Sequence, residues 1–257
     1  MNDTALITGA SGGIGLSLAH IHAEKGGNVV LVARSEDKLQ ALATELEQKY
    51  KVKAVVIAED LAVPEAAKRI FAKTESMGLQ IDTLINNAGF GGHGVFHERT
   101  LQAEQQMMQV NMVALTELSH FYLSGMVARK KGRILNVSST ASFVPGPLQA
   151  VYYATKAYVT SLSQALAEEV ASSNVTVTAL CPGAVDTNFV AAGDLEGVSL
   201  WKSAKTPRSV AECGYRAMEK GELVAFNEGG LKFMVNWVTP LLPRKTVLKV
   251  SRQAMEK

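Results

Sequence analysis

The sequence predicts one doubly wound α/β domain, built on a parallel seven-stranded sheet with helices on both faces. Short apolar runs rich in β-branched residues alternate with longer helical patterns along most of the 257 residues. Most of these runs are almost continuously apolar, which is typical of strands buried on both faces of a parallel sheet. No internal repeat, low-complexity tract or linker interrupts the alternation. Repeated right-handed β-α-β crossovers therefore predict a single Rossmann-like domain over residues 1–257.

Seven strands and six helices are predicted from this alternation. Leu39, Leu42 and Leu46 recur at helical spacing in the second helix, for which Ser35 is the expected N-cap. Pro64 suits the first turn of the third helix, because proline lacks the N–H that this turn leaves unpaired. The predicted strands cover residues 4–8, 28–33, 54–58, 83–86, 133–137, 176–180 and 223–226. The predicted helices cover residues 14–25, 36–50, 64–77, 102–129, 152–173 and 209–220.

Composition argues against several functional classes. The hydrophobic fraction of 47% is enough for one sizeable core. The net charge of +2, without a long basic run, gives no support for nucleic acid binding. Cys181 and Cys213 are too few for a disulfide framework and are expected to be buried as small hydrophobes. With no apolar run of about 18 residues and no secretion signal, we expect a cytoplasmic protein without membrane association.

A glycine-rich turn follows the first predicted strand and opens the first helix. Residues 8–15 read T-G-A-S-G-G-I-G. Glycines there allow a tight turn and a close approach of the backbone to a pyrophosphate, which then lies at the positive end of the helix. A turn that only joins two elements is the alternative. The position between a strand and a helix favours dinucleotide binding.

The residue after the second strand indicates which dinucleotide is bound. Folds that select NAD usually place an acid there to bind the ribose 2′-hydroxyl. This chain has Arg34 instead, with Ser35 beside it. A guanidinium is suited to a 2′-phosphate, although a solvated surface arginine is the alternative. We therefore expect NADP(H) to be preferred over NAD(H).

Tyr152 and Lys156 are the strongest candidates for proton transfer. Their i, i+4 spacing places both on one face of a helix. A free tyrosine has a pKa of about 10, and lowering it by about three units requires roughly 4 kcal/mol of extra phenolate stabilisation. A nearby ammonium can supply much of this, helped by the positive nicotinamide of an oxidised dinucleotide, so a lowered pKa is expected for Tyr152. Tyr153 has Ala157 at the same offset and lacks such a partner.

A serine at the end of the fifth predicted strand would lie at the sheet edge where ligands bind. Both Ser138 and Ser139 are candidates to hydrogen-bond a substrate oxygen, and strand alternation points them to opposite sides. A Ser–His hydrolase is the competing interpretation, but no G-x-S-x-G elbow surrounds these serines. No metal site is predicted, although His93 and His97 share a glycine-rich loop.

These motifs resemble those of the short-chain dehydrogenase/reductase family, and the resemblance covers nearly the whole chain. Residues 8–15 match the family's T-G-x-x-x-G-x-G cofactor turn, and N-N-A-G at residues 86–89 matches its element after the fourth strand. Asp60 matches an acid that meets the adenine in the family. The dipeptide P-G at residues 182–183, followed by Thr187, matches the segment beside the nicotinamide carboxamide.

The resemblance also implies four catalytic residues. Ser139 stands thirteen residues before Tyr152 (152 − 139), which is the family's serine position and favours it over Ser138. By the same resemblance Tyr152 donates the proton, Ser139 orients the carbonyl, Lys156 holds the nicotinamide ribose, and Asn111 orders a water on Lys156. The cofactor-binding residues expected in all are Gly9, Ser11, Gly13, Ile14, Gly15, Arg34, Ser35, Asp60, Leu61, Asn87, Ala88, Gly89, Tyr152, Lys156, Pro182, Gly183, Val185 and Thr187.

Two segments are expected to shape the substrate side. Residues 186–206 would cover the site, and the C-terminal extension over residues 227–257 resembles the branch of the family related to long-chain ketoacyl and steroid reductases. We expect the extension to dock on its own domain or on a sister subunit, with a membrane surface as the alternative. Ser139, Phe90, Phe143 and Phe189 are the expected substrate contacts. Further apolar pocket candidates are His93, Val95, Phe96, Val144, Leu148, Leu195, Leu200 and Trp201.

The expected function is hydride transfer between NADP(H) and a small-molecule carbonyl or secondary alcohol, in a homodimer or homotetramer. A dinucleotide-binding regulatory or redox-sensing protein without turnover is the alternative. A sensor needs no proton relay, so the joint presence of Asn111, Ser139, Tyr152 and Lys156 favours the enzyme.

Overall fold

Seven parallel strands form one sheet in the computed structural model, which describes residues 3–257 apart from the side chain of Lys202. The strands are β1 (Thr4–Thr8), β2 (Asn28–Ala33), β3 (Ala54–Ala58), β4 (Thr83–Asn86), β5 (Gly132–Val137), β6 (Val175–Leu180) and β7 (Val224–Ala225). Their order in the sheet is β3-β2-β1-β4-β5-β6-β7. The predicted doubly wound fold is confirmed, and β1 to β4 have the predicted bounds. The seventh strand is shorter than predicted, since it lies at the sheet edge and pairs through two residues of β6.

Side chains alternate between the two faces of the sheet along the central strands. Ala5 and Ile7 of β1 enter one buried cluster, whereas Leu6 enters the cluster on the other face. The leucine stripe predicted for the second helix, Leu39 among its members, is buried in the first cluster. Helices cover both clusters. They are α1 (Gly13–Glu24), α2 (Glu36–Tyr50), α3 (Ala66–Ser76), α4 (Leu101–Met108), α5 (Leu115–Arg129), α6 (Ala150–Glu169), α7 (Phe189–Ala192), α8 (Pro207–Lys220), α9 (Gly229–Phe233) and α10 (Arg244–Met255).

Several helix predictions differ from the structure, and α7, α9 and α10 were not predicted. Pro64 precedes α3, because Glu65 at the N-cap has a left-handed φ of 66° and the helix begins only after it. Ser35 occupies the N-cap position of α2, but its side chain makes no capping hydrogen bond. The helix predicted over residues 102–129 is divided into α4 and α5 by a π-helical turn over Gln109–Ala114.

The C-terminal extension packs through α10 on its own domain. Met255 is fully buried together with Leu195 and Val198 of the covering segment. An ion pair of 2.9 Å between Lys257 Nζ and Asp194 Oδ1 joins the same two segments. Before α10 the extension is held near its start, where Asn227 Oδ1 accepts from the Gly183 N–H at 3.2 Å, whereas Trp237 further along is 69% exposed. Among residues 3–257 no helix combines the length and the apolar character needed to cross a membrane.

Candidate active site

A cleft of about 990 Å³ opens at the carboxyl edge of the sheet. Its lining comes from the segments that follow β1, β2, β3, β4, β5 and β6, together with α6 and the covering segment. In doubly wound sheets ligands bind at this edge, near the point where the strand order reverses, here between β1 and β4. The fold therefore gathers side chains that are far apart in the sequence into one cavity.

The glycine turn is fixed to the loop after β4 by hydrogen bonds. The Thr8 hydroxyl accepts from the backbone N–H groups of Asn87 and Ala88, each at 3.0 Å, and the Asn87 amide donates to the Thr8 carbonyl at 2.8 Å. Gly9 has a φ of 67°, a conformation that favours glycine. A Cβ at Gly15 would collide with the Gly9 carbonyl, so glycine is needed there for packing of the turn. The turn and the N-N-A-G loop thus form one rigid wall of the cleft.

Two cations line the end of the cleft beyond β2. Arg34 was expected there from the sequence, and Lys38, one helical turn later in α2, was not. Glu59 also lines this end, but Arg69 pairs with it at 2.7 Å and offsets its charge. Asp60 accepts from the backbone N–H of Ala62 at 3.0 Å, which fixes its carboxylate in the loop after β3. The arrangement leaves this end of the cleft suited to an additional negative group.

The two neighbouring serines have different environments. Ser138 is 2% exposed, and its hydroxyl contacts Thr160 Oγ1 at 2.6 Å and donates to the Lys156 carbonyl at 3.0 Å. These bonds fasten β5 to α6. Ser139 is half-buried, and its hydroxyl accepts from the backbone N–H of Ala141 at 3.1 Å. Interaction with this hydroxyl partly offsets the pKa rise of Tyr152, so Ser139 lies next to the phenol.

Tyr152 and Lys156 lie on one face of α6, as their spacing predicted. The Lys156 Nζ atom is 5.8 Å from the centroid of the Tyr152 ring and donates to the Val137 carbonyl at 2.9 Å. The expected lowering of the Tyr152 pKa is wrong for the protein alone. Burial raises the pKa of Tyr152 because the phenolate loses its hydration, and burial lowers the pKa of Lys156 to about 8 for the matching reason. Burial therefore disfavours the charged form of both groups, although Lys156 still carries its proton near pH 7.

Asn111 lies in the π-helical turn between α4 and α5, 1% exposed. Its Oδ1 accepts from the Phe90 N–H at 3.1 Å, and its Nδ2 donates to the Phe90 carbonyl at 3.0 Å and to Thr155 Oγ1 at 3.1 Å. A Cβ placed on Gly89 would lie 3.1 Å from Asn111 Oδ1 and 3.3 Å from Lys156 Nζ. Asn111 is thus near the ammonium, in a layer behind the cleft rather than among the residues that line it.

An aromatic wall forms the substrate side. The Phe189 ring lies 5.3 Å from the Tyr152 ring, and Trp201 stacks on Phe189 with centroids 6.3 Å apart. Phe90 also lines the cleft. Phe143, which was expected to contact substrate, lies outside the lining, because its ring packs on Phe226 with centroids 5.4 Å apart.

Most of the other apolar candidates lie away from the cleft. Leu200 and Trp201 line it, whereas Leu195 is buried in the cluster with Met255. The His93 imidazole contacts the Met255 carbonyl at 2.8 Å. Within residues 3–257 no group of three or more His, Cys, Asp or Glu side chains is placed to hold a metal ion. His93, Val95, Phe96, Val144 and Leu148 are absent from the lining.

Besides Lys38, the cleft residues Met255 and Gln149 were missed by the sequence analysis. Met255 reaches the cleft from the end of α10, and no local pattern signals a contact across more than 100 residues. Gln149 lines the cleft at the start of α6, three residues before Tyr152. Because residues three apart share a helix face, its spacing from Tyr152 could have predicted that both lie toward the cleft. Leaving a buried amide unpaired costs about 1–3 kcal/mol, and the Gln149 Nε2 has no hydrogen-bond partner among the described residues.

Of the expected cofactor residues, Gly15 alone lies outside the lining. The structure therefore brings together in one cleft the set Gly9, Ser11, Gly13, Ile14, Arg34, Ser35, Asp60, Leu61, Asn87, Ala88, Gly89, Tyr152, Lys156, Pro182, Gly183, Val185 and Thr187.

The profile of the short chain dehydrogenase family matches residues 3–195 of this chain. The chain belongs to that family. The match ends before the C-terminal extension, so membership of a particular branch does not follow from it. The matched residues include the glycine turn and the Tyr152–Lys156 pair.

Relatives of this short-chain dehydrogenase agree with the assignment. The very-long-chain 3-oxoacyl-CoA reductase of Homo sapiens is 37% identical over 195 residues, covering 74% of this chain and 61% of its own length. The 7beta-hydroxysteroid dehydrogenase of Mediterraneibacter gnavus is 28% identical over 235 residues, covering 90% of this chain and 89% of its own. A solved short-chain dehydrogenase from Sphingobium yanoikuyae, in complex with NADPH, has a TM-score of 0.86 and 29% identity and covers 99% of this chain and 98% of its own.

Proposed function

We propose that this protein transfers a hydride between NADP(H) and a carbonyl or secondary alcohol of a small apolar molecule. The observation that carries the proposal is the meeting of Ser139, Tyr152 and Lys156 in one cleft with the glycine turn. A phenol and a hydroxyl that face the same cavity can together hold a substrate oxygen. A protein that merely sensed a dinucleotide would have no use for them.

The residues present fit a dinucleotide phosphate. A Cβ on Gly12 would meet no atom within 4 Å, which leaves the glycine turn open toward the cleft. Backbone N–H groups at the start of α1 are available there for a pyrophosphate. Arg34 and Lys38 would bind a 2′-phosphate, and the NADPH complex of the Sphingobium relative supports the same cofactor class. When bound, the nicotinamide supplies or accepts the hydride, and the protein supplies position and electrostatics.

Each catalytic side chain has a role that follows from its surroundings. Tyr152 keeps its proton in the protein alone, so it is ready to donate it to a substrate oxygen during reduction. Ser139 would orient that oxygen, since its hydroxyl lies beside the phenol. Lys156, whose pKa is lowered to about 8, is still mostly protonated near pH 7 and would stabilise negative charge on Tyr152. Asn111 would position Lys156 from behind the cleft.

The substrate side favours a molecule with an apolar part. Phe90, Phe189 and Trp201 form its walls, and Met255 closes it from the C-terminal helix. The relatives include a very-long-chain 3-oxoacyl-CoA reductase and a 7beta-hydroxysteroid dehydrogenase, whose names indicate substrates with a large apolar part. We propose a ketone or secondary alcohol of that apolar type.

The test measures NADPH consumption with a panel of ketones, aldehydes and sugars, and NADP⁺ reduction with secondary alcohols. Tyr152→Phe should lower kcat by about 10²- to 10⁴-fold and leave NADPH binding within about threefold, because only the proton donor is removed. Tyr158→Phe is the matched control on the same helix, since the Tyr158 hydroxyl bonds Thr116 on the outer surface. Unchanged turnover in Tyr152→Phe would remove Tyr152 as the acid. NADPH binding without turnover of any panel member would favour the sensor.

A further inference from the structure

A helical stretch in the C-terminal extension is apolar on its outer side as well as on its inner side. It covers residues 229–241, where α9 continues without a break through a π-helical turn and a 3-10 turn. Its inner side is fixed to the domain, because a Cβ placed on Gly183 would lie 2.6 Å from Leu231 Cδ1. Its outer side exposes three large apolar side chains at intervals of four residues, namely Phe233, Trp237 and Leu241. Single exposed apolar residues are ordinary, whereas three on one helical stretch mark a contact surface, which we call the outer apolar face.

Positive charge is concentrated in the same part of the chain. Residues 229–257 contain six Lys or Arg and one Glu, whereas residues 1–228 contain twenty Lys or Arg against twenty-three Asp or Glu. The one acid, Glu256, pairs with Arg252 at 3.2 Å and leaves the other cations of the segment without an acidic neighbour in it. The exposed cations that form no ion pair with any residue the structure describes are Lys232, Arg244, Lys245 and Lys249. Cations therefore flank the outer apolar face in the chain on both sides.

These charges decide which partner the outer apolar face fits. A two-fold symmetric contact between copies of this chain would place the face against itself, and the cations of the two copies would repel one another. An anionic lipid surface fits better, because apolar side chains enter the boundary between headgroups and acyl chains while Lys and Arg approach the lipid phosphates. Tryptophan, phenylalanine and leucine close to lysine and arginine are typical of helices that lie in this boundary.

We propose that the outer apolar face and its flanking cations bind the surface of an anionic lipid bilayer. No spanning helix is required, because such a contact reaches only about 5–10 Å into the bilayer. α10 packs on the domain itself, whereas the outer apolar face stays exposed and is available for the lipid. Gly183, against which Leu231 packs, lines the cleft, so docking would hold the cleft near the lipid. The inference does not depend on the proposed function, since lipid binding is measured without substrate.

Flotation of the full chain with lipid vesicles tests the proposal. Vesicles of phosphatidylcholine with about one-third phosphatidylglycerol should bind the protein at least about tenfold more tightly than vesicles of phosphatidylcholine alone. Trp237→Ser combined with Leu241→Ser should weaken binding to the anionic vesicles by about tenfold or more, because the apolar contacts are removed. Trp237 is 69% and Leu241 84% exposed, so the fold should be kept. Met77→Ser, 48% exposed where α3 ends, is the control.

Reversal of charge tests the cations separately. Arg244→Glu combined with Lys245→Glu should also weaken binding to the anionic vesicles by about tenfold or more. α10 should stay folded in this variant, because acidic residues suit the first turn of a helix. Lys53→Glu combined with Lys73→Glu changes the net charge equally at exposed positions outside the extension and should leave binding unchanged.

Fluorescence locates the contact on the outer apolar face. The chain has two tryptophans, so in Trp201→Phe the emission reports on Trp237 alone and should move to shorter wavelength when anionic vesicles are added. Absence of flotation, equal binding to both kinds of vesicle, or an equal loss in the variants and their controls overturns the proposal. Self-association in sedimentation velocity that Trp237→Ser with Leu241→Ser abolishes, without vesicle binding, would assign the face to a second copy of this chain instead.

Discussion

The Lys156 ammonium lies 5.8 Å from the centre of the Tyr152 ring, yet the hydrogen bond it donates goes to the backbone carbonyl of Val137, 2.9 Å away. The carbonyl holds the lysine against the end of β5 while Tyr152 stays protonated in the protein alone. The lowered phenol pKa that chemistry near neutral pH needs has to come with the bound cofactor and substrate, because burial alone works in the opposite direction.

Burial of Lys156 predicts a specific dependence of stability on pH. Its pKa is about 8 in the folded protein and 10.5 in an exposed chain. Between these values the unfolded chain binds the proton and the folded protein does not, so the free energy of unfolding rises with pH. From pH 8 to pH 10 the unaltered protein should gain about 2 kcal/mol relative to Lys156→Met. Urea unfolding of both proteins measures the difference, and a constant difference would contradict the lowered pKa.

Substitutions of the two neighbouring serines should have different effects, that of Ser138 on stability and that of Ser139 on activity. Ser138→Ala removes hydroxyl contacts to the Lys156 carbonyl and to Thr160 and should lower the free energy of unfolding by about 1–2 kcal/mol. Ser139→Ala should leave stability almost unchanged and lower kcat by about 10²-fold or more, because it removes a donor to the substrate oxygen. Thermal unfolding and NADPH-linked assays measure the two effects. The reverse pattern would assign the catalytic serine to Ser138.

Arg34 and Lys38 should together determine the choice of dinucleotide. Replacing each with Ser should weaken NADPH binding by about tenfold or more and leave NADH binding nearly constant, because only NADPH carries the 2′-phosphate. Dissociation constants from protein fluorescence give the ratio. Lys49→Ser, at the far end of α2 and outside the cleft, is the control. If NADPH binding and NADH binding weaken equally, the two cations do not determine the choice of dinucleotide.

Met255 should couple the C-terminal helix to the covering segment. Met255→Ala would leave a cavity against Leu195 and Val198. It should weaken the packing of α10 on the covering segment by about 2–5 kcal/mol. Hydrogen exchange should then accelerate in α10 and in residues 194–201, and KM for ketones should rise more than kcat falls. Leu248→Ala on the same helix, where Leu248 is 40% exposed, should have little effect. Unchanged exchange in the covering segment would show that α10 does not hold it closed.

Features set by local pattern could be predicted from the sequence. Four of the seven strands have the predicted bounds, since continuous apolar runs between turn residues leave little choice of where a buried strand begins and ends. The position of Tyr152 and Lys156 on one helix face followed from spacing alone. The start of α3 did not, because Glu65 adopts a left-handed backbone conformation that no residue pattern announced.

The substrate side was harder to predict because it is built from distant segments. Phe143 is near Ser139 in the chain, but its ring turns to Phe226 after β7. Met255 is far from Tyr152 in the chain and nevertheless lines the same cleft. Apolar residues are common in cores and in pockets alike, so composition cannot separate the two roles.

Local sequence was enough to predict the succession of strands and helices, the glycine turn and the placement of Tyr152 and Lys156 on one helix face, because each depends on neighbours within a few residues. Packing of distant segments set the direction of the Tyr152 pKa shift and left the Gln149 amide without a partner among the described residues. Those properties depend on desolvation and on the contacts a side chain is left without. Both arise only when segments far apart in the chain pack together.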